Sequence, residues 1–258
     1  MDALFTCWPI ITARIHAATG IFVALDFDGV LSPIAPRPES ARMPERNREL
    51  LRLLVDRPKV RVAVVSGRAL DDVRRHVGVE GIFYAGNHGA EIALDGHPET
   101  HIPLKRYRAA LLQARTELAD LIGEFPGARL EDKGFGIGLH YREVDDRLLS
   151  TLHAQFAVWA KSLPNDLHVT TAKMLYEVRP NIAWNKGNAI LRLWEQVAPA
   201  SLPFCLGDDH TDEDGFVALK GRGISIYVGA PRDSNADYIL ASTDQVTEFL
   251  ERLLTEVS

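Results

Sequence analysis

Apolar and polar positions fall along this chain in blocks with two different rhythms. Residues 21–26, 60–66 and 82–85 are short apolar runs that end abruptly in polar residues, and they read as buried strands. Between the first two, residues 45–55 carry Leu50, Leu51 and Leu54 at helical spacing, and residues 69–77 read as a second, shorter helix. Such alternation predicts βαβ units and a parallel sheet. From residue 98 to residue 181 the rhythm changes. Residues 105–125 and 145–163 read as long helices, with strands predicted at 128–133, 135–142, 167–170 and 173–179. An α-β-β-α-β-β order is an α+β unit, not a continuation of a parallel sheet. After Trp184 the first rhythm returns: helix 186–197, strand 203–208, helix 212–219, strands 223–228 and 238–240, and helix 244–257. The expected fold class is α/β. It has a doubly wound parallel-sheet core (1–97 and 182–258) and an inserted α+β cap domain (98–181).

Composition narrows the classes of function. The 258 residues are 46% hydrophobic and 25% charged, which suits a globular chain long enough to bury a core. A net charge of −6 argues against a nucleic-acid partner, which would want a basic face. Cys7 and Cys205 make neither a disulfide framework nor a zinc pattern, and a reducing cytoplasm suits them. Residues 3–13 are apolar, but Asp2 precedes them, Pro9 interrupts them and Arg14 ends them. The stretch lacks the basic start of a secretory signal and is too short to span a bilayer. It is expected to be a leading helix or loop packed on the core, with no membrane partner.

The chemistry gathers where apolar runs end. The first run stops at Asp26-Phe27-Asp28-Gly29. Two carboxylates flanking one residue repel, so they need a cation or a shared proton to coexist. Open α/β sheets place their ligands at this edge of the strands. Ser66-Gly67-Arg68 ends the second run, where a hydroxyl and a helix start suit an anion, although Ser-Gly is also a common turn. Asp208, Asp209, Asp212 and Glu213 follow the run ending at Gly207. Helix capping accounts for Asp212 and Glu213 and accounts poorly for Asp208. Lys186 opens a helix, where the dipole disfavours a cation unless an anion is present.

The order Asp-x-Asp, Ser, Lys, Asp-Asp on successive strands resembles the haloacid dehalogenase superfamily of phosphotransferases. The resemblance implies Asp26 as a nucleophile that becomes an aspartyl-phosphate and Asp28 as general acid and base. It implies Ser66 and Lys186 on the phosphoryl oxygens, and Mg²⁺ held by Asp26, the Asp28 carbonyl and Asp208. Asp209 and Asp212 are expected to back the site or to cap the next helix.

Substrate choice is expected in the cap. Glu131 and Lys133, His140 and Arg142, and Glu177 and Arg179 recur at every second position. Leu130, Leu139, Tyr141, Met174, Tyr176 and Val178 take the opposite positions. One sheet face should therefore be polar and the other apolar. A solvated face is the ordinary reading of such alternation, but paired acids and guanidinium forks also grip hydroxyls. Together with the stretches starting at Gly86, Glu131, His140, Glu177 and Gly207, these residues resemble the trehalose-6-phosphate phosphatases. Residues 20 to 255 carry the likeness, with Ala172-Lys173 where relatives often show Gly-Lys. The resemblance implies that Glu131, Lys133 and Glu177 contact the distal glucose, with Arg142 and Arg179 nearby. It places Arg68, His88 and Gly89 at a seam between core and cap, and counts Gly67 among the substrate-binding residues. It implies hydrolysis of trehalose 6-phosphate, a cap that opens and closes, and coupling to a trehalose-phosphate synthase by flow of substrate without contact. A phosphatase for sucrose 6-phosphate or mannosyl-phosphoglycerate, a phosphosugar mutase and a non-catalytic sensor remain as alternatives.

Overall fold

In a computed structural model, residues 1–94, 97–100, 104–172 and 174–258 are described. Lys173, expected to open the last cap strand, lies outside the described residues. The chain forms two compact units, residues 1–100 with 184–258, and residues 101–183.

The first unit is a nine-stranded sheet flanked by helices. Its strands are β1 (Asp2–Ala3), β2 (Ile21–Leu25), β3 (Val60–Val65), β4 (Phe83–Gly86), β5 (Glu91–Leu94), β6 (His97–Thr100), β11 (Leu202–Gly207), β12 (Ile224–Val228) and β13 (Tyr238–Leu240). In space they run β1-β13-β12-β11-β2-β3-β4-β5-β6. The pairs from β1 to β4 are parallel, as the alternating rhythm predicts, and β5 and β6 add an antiparallel edge. That edge went unread in the sequence because it holds Pro98 and lacks a long apolar run.

Along β2 the side chains alternate between two cores. Ile21, Val23 and Leu25 join one buried cluster, and Phe22 and Ala24 join the other. The first cluster takes in helices α1 (Trp8–Ala17), α2 (Glu45–Val55), α3 (Leu70–Val77) and α8 (Thr243–Glu256). The second takes in α6 (Lys186–Val197) and α7 (Glu213–Leu219). A strand covered on both faces has to be apolar throughout, which explains its uninterrupted run. The leading segment is a helix, and Trp8, Ile11 and Ile15 bury one stripe of it. Chain order reverses around β2, with β3 on one side and β11 on the other. Their carboxyl ends therefore meet at a switch point, where such sheets bind ligands.

The second unit is an antiparallel sheet in the order β7-β8-β10-β9 with two helices. Its elements are α4 (Leu104–Ile122), β7 (Arg129–Asp132), β8 (Ile137–His140), α5 (Asp146–Ala160), β9 (Leu167–Ala172) and β10 (Leu175–Pro180). Tyr141, Met174 and Tyr176 pack with Phe125, Val144 and Leu152, so the apolar face predicted from alternation faces the helices. Phe156 stacks on Tyr176 at 3.9 Å between ring centroids. Among the described residues, no helix is long and apolar enough to cross a membrane.

Candidate active site

Three strand ends build the centre of the first unit. Asp26 follows β2, Ser66 follows β3 and Asp208 follows β11. Asp26 is held by its backbone, which donates to the Leu206 carbonyl at 3.0 Å, and its Oδ1 accepts from the Phe27 amide at 2.7 Å. Lys186 is buried on the first turn of α6, where Asn185 and Asn188 form a reciprocal capping box. Its Nζ lies 3.0 Å from Asp26 Oδ2 and 2.6 Å from Asp212 Oδ1. The cation that the helix dipole disfavours is thus answered by two buried carboxylates. Burial alone would lower the Lys186 pKa, but Asp212 and Asp26 outweigh it and raise it, so the ammonium persists.

Asp212 has a larger part than capping. Its Oδ2 accepts the backbone amides of Asp208 and Asp209, each at 3.0 Å, and its other oxygen takes Lys186. It thereby shapes the turn that carries Asp208. Asp209 caps the short 3-10 turn at 210–212 and accepts from the His210 amide at 2.6 Å. Gly29 sits at φ +75°, and a Cβ there would lie 2.0 Å from Asp208 Oδ2. The glycine serves the turn and also leaves room for the carboxylate.

Carboxylate oxygens of Asp26, Asp208 and Asp212 lie within 4.8 Å of one another. Burial pushes Asp26 up to about 7 against the pull of Lys186, and Asp212 and Asp28 add to the rise. Burial, with Asp26 and Asp212 beside it, pushes Asp208 up to about 9. One lysine does not balance three clustered carboxylates. A hard, oxygen-seeking divalent cation fits this donor set.

Asp28 is gripped by an arginine. Arg68 donates from Nε to Asp28 Oδ2 at 2.7 Å and from Nη2 to Oδ1 at 2.8 Å. The same guanidinium donates to Asp72 at 2.8 Å and to the Pro38 carbonyl at 2.8 Å, and lies over the Phe27 ring. Arg68 is buried and engaged with these protein acceptors. Ser66 is buried, and its Oγ accepts from the Arg68 amide at 3.2 Å. His88 has φ +55° after Asn87 at φ +50°, and its ring covers Gly67, where a Cβ would meet it at 2.7 Å. The Gly89 carbonyl accepts from Trp184 Nε1 at 2.8 Å, and a Cβ on Gly89 would collide with Ala189.

In the second unit the expected residues fall into paired contacts. His140 Nε2 meets Glu131 Oε2 at 2.8 Å, and Lys133 Nζ is paired with buried Glu177. Burial pushes the Glu131 carboxyl up, but the His140 hydrogen bond and the nearby charges of Lys133 and His140 prevail and hold it below its usual range. Arg179 is half-buried on β10 opposite His168, whose pKa falls through burial and the Arg179 charge. Arg142 is exposed just past β8.

The chain matches the family described as Trehalose-phosphatase over residues 24–244. It is 41% identical over 253 residues to the trehalose-phosphate phosphatase of Mycobacterium leprae, covering 92% of this chain and 58% of that protein. It is 39% identical over 246 residues to a Mycobacterium tuberculosis protein called an uncharacterized glycosyl hydrolase, covering 91% of this chain and 18% of that one. The chain thus spans less than two thirds of either curated relative. Among solved structures, the C-terminal domain of C. albicans trehalose-6-phosphate phosphatase superposes with a TM-score of 0.85. That likeness covers 98% of both chains at 23% identity, and shows a shared fold.

Proposed function

Because the chain belongs to the trehalose-phosphatase family, we propose that it hydrolyses trehalose 6-phosphate to trehalose and phosphate. The observation that carries the reading is the cluster of buried Asp26, Lys186 and Asp212 with half-buried Asp208 at the switch point of the sheet. Asp26, the Asp28 carbonyl and Asp208 would hold Mg²⁺, which when bound offsets the repulsion between a carboxylate and a phosphate dianion. Asp26 is the nucleophile, already held by a backbone amide and by Lys186. Its oxygen bonds to phosphorus as the bond to the sugar oxygen breaks, giving an aspartyl-phosphate. Asp28 gives its proton to the departing sugar oxygen and then takes one from the water that hydrolyses the intermediate. Lys186 and Ser66 steady the phosphoryl oxygens.

Glu131, Lys133 and Glu177 accept and donate to glucosyl hydroxyls on the polar face of the second unit's sheet, with Arg142 and Arg179 beside them. Gly67, His88 and Gly89 shape the approach to the phosphoryl site, and Arg68 acts through Asp28. A reducing cytoplasm suits the two free thiols, Cys7 and Cys205. A trehalose-phosphate synthase would supply the substrate by mass flow.

The test is phosphate release, with and without Mg²⁺, from trehalose 6-phosphate beside sucrose 6-phosphate, glucose 6-phosphate and an aryl phosphate. Mg²⁺-dependent preference for the first is expected. Turnover of only the others would keep a phosphatase and discard the trehalose assignment. Asp26→Asn should abolish turnover with an unchanged circular dichroism spectrum, and retained steady-state activity would sink the nucleophile.

A further inference from the structure

The centre of the polar sheet face in the second unit holds a glycine. Gly138 sits in the middle of β8, paired with Glu131 on β7 and with Glu177 on β10. Glu177 in turn pairs with Thr170 on β9. Directly paired residues share a face, so one row runs across four strands as carboxylate, gap, carboxylate, hydroxyl. A glycine inside a strand weakens it and marks a bulge, a bend or a close approach. A bulge is excluded, since β8 keeps unbroken register with both neighbours from residue 137 to 140. Backbone freedom is not the reason either, because the φ of Gly138 lies outside the left-handed region.

Beside the gap runs a diagonal contact. His140 is directly opposite Arg129, yet its ring reaches Glu131 two positions along, at 2.8 Å. A Cβ on Gly138 would lie 3.4 Å from His140 Nε2, 3.5 Å from Glu131 Oε2 and 3.2 Å from Leu175 Cδ1. It would therefore touch the pair at ordinary contact distance, crowd only the end of the Leu175 side chain, and fill the floor between Glu131 and Glu177. With Oε2 engaged, Glu131 keeps Oε1 to accept from a ligand, while Glu177 on the far side of the gap is tied to Lys133.

We propose that Gly138 and His140 determine specificity for a pyranosyl group: His140 positions Glu131, and the gap at Gly138 lets a sugar ring lie close to the strand between Glu131 and Glu177. This rests on the reading of the second unit as the sugar-binding part. A ring with adjacent hydroxyls suits two fixed carboxylates, since each acceptor loses little freedom on binding.

The experiment compares wild type with Gly138→Ala, His140→Gln and His140→Leu on trehalose 6-phosphate and on an aryl phosphate, with melting temperatures for each. Alanine suits a strand better than glycine, so Gly138→Ala should melt no lower than wild type. It should lower kcat/KM for the disaccharide phosphate about tenfold more than for the aryl phosphate, mainly through KM. His140→Gln, which keeps a donor, should retain more of the discrimination than His140→Leu. Gly138→Ala and His140→Leu enzymes that still discriminate like wild type would overturn this inference alone. Equal losses on both substrates with a lowered melting temperature would also overturn it, by showing a structural role. A wild type with no preference for the disaccharide phosphate would overturn both this inference and the assignment beneath it.

Discussion

At the scale of the residue, the informative contacts join positions far apart in the chain. Arg68 grips both oxygens of Asp28 across 40 residues, and Lys186 bridges Asp26 and Asp212. Asp28, Arg68, Lys186 and Asp212 each stand out in the sequence, but nothing in it says that Arg68 meets Asp28 or that Asp212 meets Lys186. No local signal links Arg68 to Asp28, because the turn after β3 and the turn after β2 meet only through sheet pairing. The grip has a kinetic consequence. If Arg68 sets the direction from which Asp28 delivers its proton, Arg68→Met should hurt poor leaving groups most. Turnover of trehalose 6-phosphate should fall by about a hundredfold, the usual worth of a positioned proton donor. An aryl phosphate should lose much less, because its leaving group departs without protonation. Equal losses would assign Arg68 to folding or to direct phosphate contact.

At the scale of the element, α6 shows how a local motif places a buried charge. Asn185 accepts from the Asn188 amide at 3.0 Å, and Asn188 returns a contact to the Asn185 amide at 3.1 Å. The box starts the helix at Lys186 and so sets the height at which the ammonium enters the carboxylate cluster. Asn185→Ala should cost about 1 kcal/mol of stability by loss of the cap. It should also lower activity beyond what that small destabilisation explains, because Lys186 shifts with the frayed turn. A chemical denaturation curve beside a rate at saturating substrate separates the two effects, and an unchanged rate would limit the box to stability. The bounds expected for this helix, 186–197, match those of α6. β5 and β6 were not legible in the sequence, because an antiparallel edge strand draws its stability from its neighbour rather than from its own apolar run.

At the scale of the whole molecule, the carboxylate cluster ties stability to pH. Asp26 and Asp208 stand at about 7 and about 9 in the folded protein against an ordinary 3.8. The folded chain therefore keeps protons that the unfolded chain releases. The stabilisation from these groups is complete below the unfolded value and is lost as pH rises through the folded values. With chelator present, the melting temperature should fall between roughly pH 6 and pH 9, and Mg²⁺ should shrink that fall by binding the ionised carboxylates. A melting temperature that rises over the same window in chelator would overturn the reading of the cluster as proton-loaded.

Taken by itself, the sequence determined the class of fold, the order of most of its elements and the polar residues that gather where apolar runs end. It could do so because the burial of β2 on both faces, the alternation in the second unit and the abrupt carboxylates at strand ends are all properties of neighbours in the chain. Only the tertiary structure decided the partners. It put Arg68 on Asp28, Lys186 between Asp26 and Asp212, and His140 on Glu131 across a glycine. Each is a contact between separate elements, set by strand register and the packing of helices on the sheet. Hydrophobic periodicity places a residue on a face, but a partner is chosen by which other face the fold brings within hydrogen-bond reach.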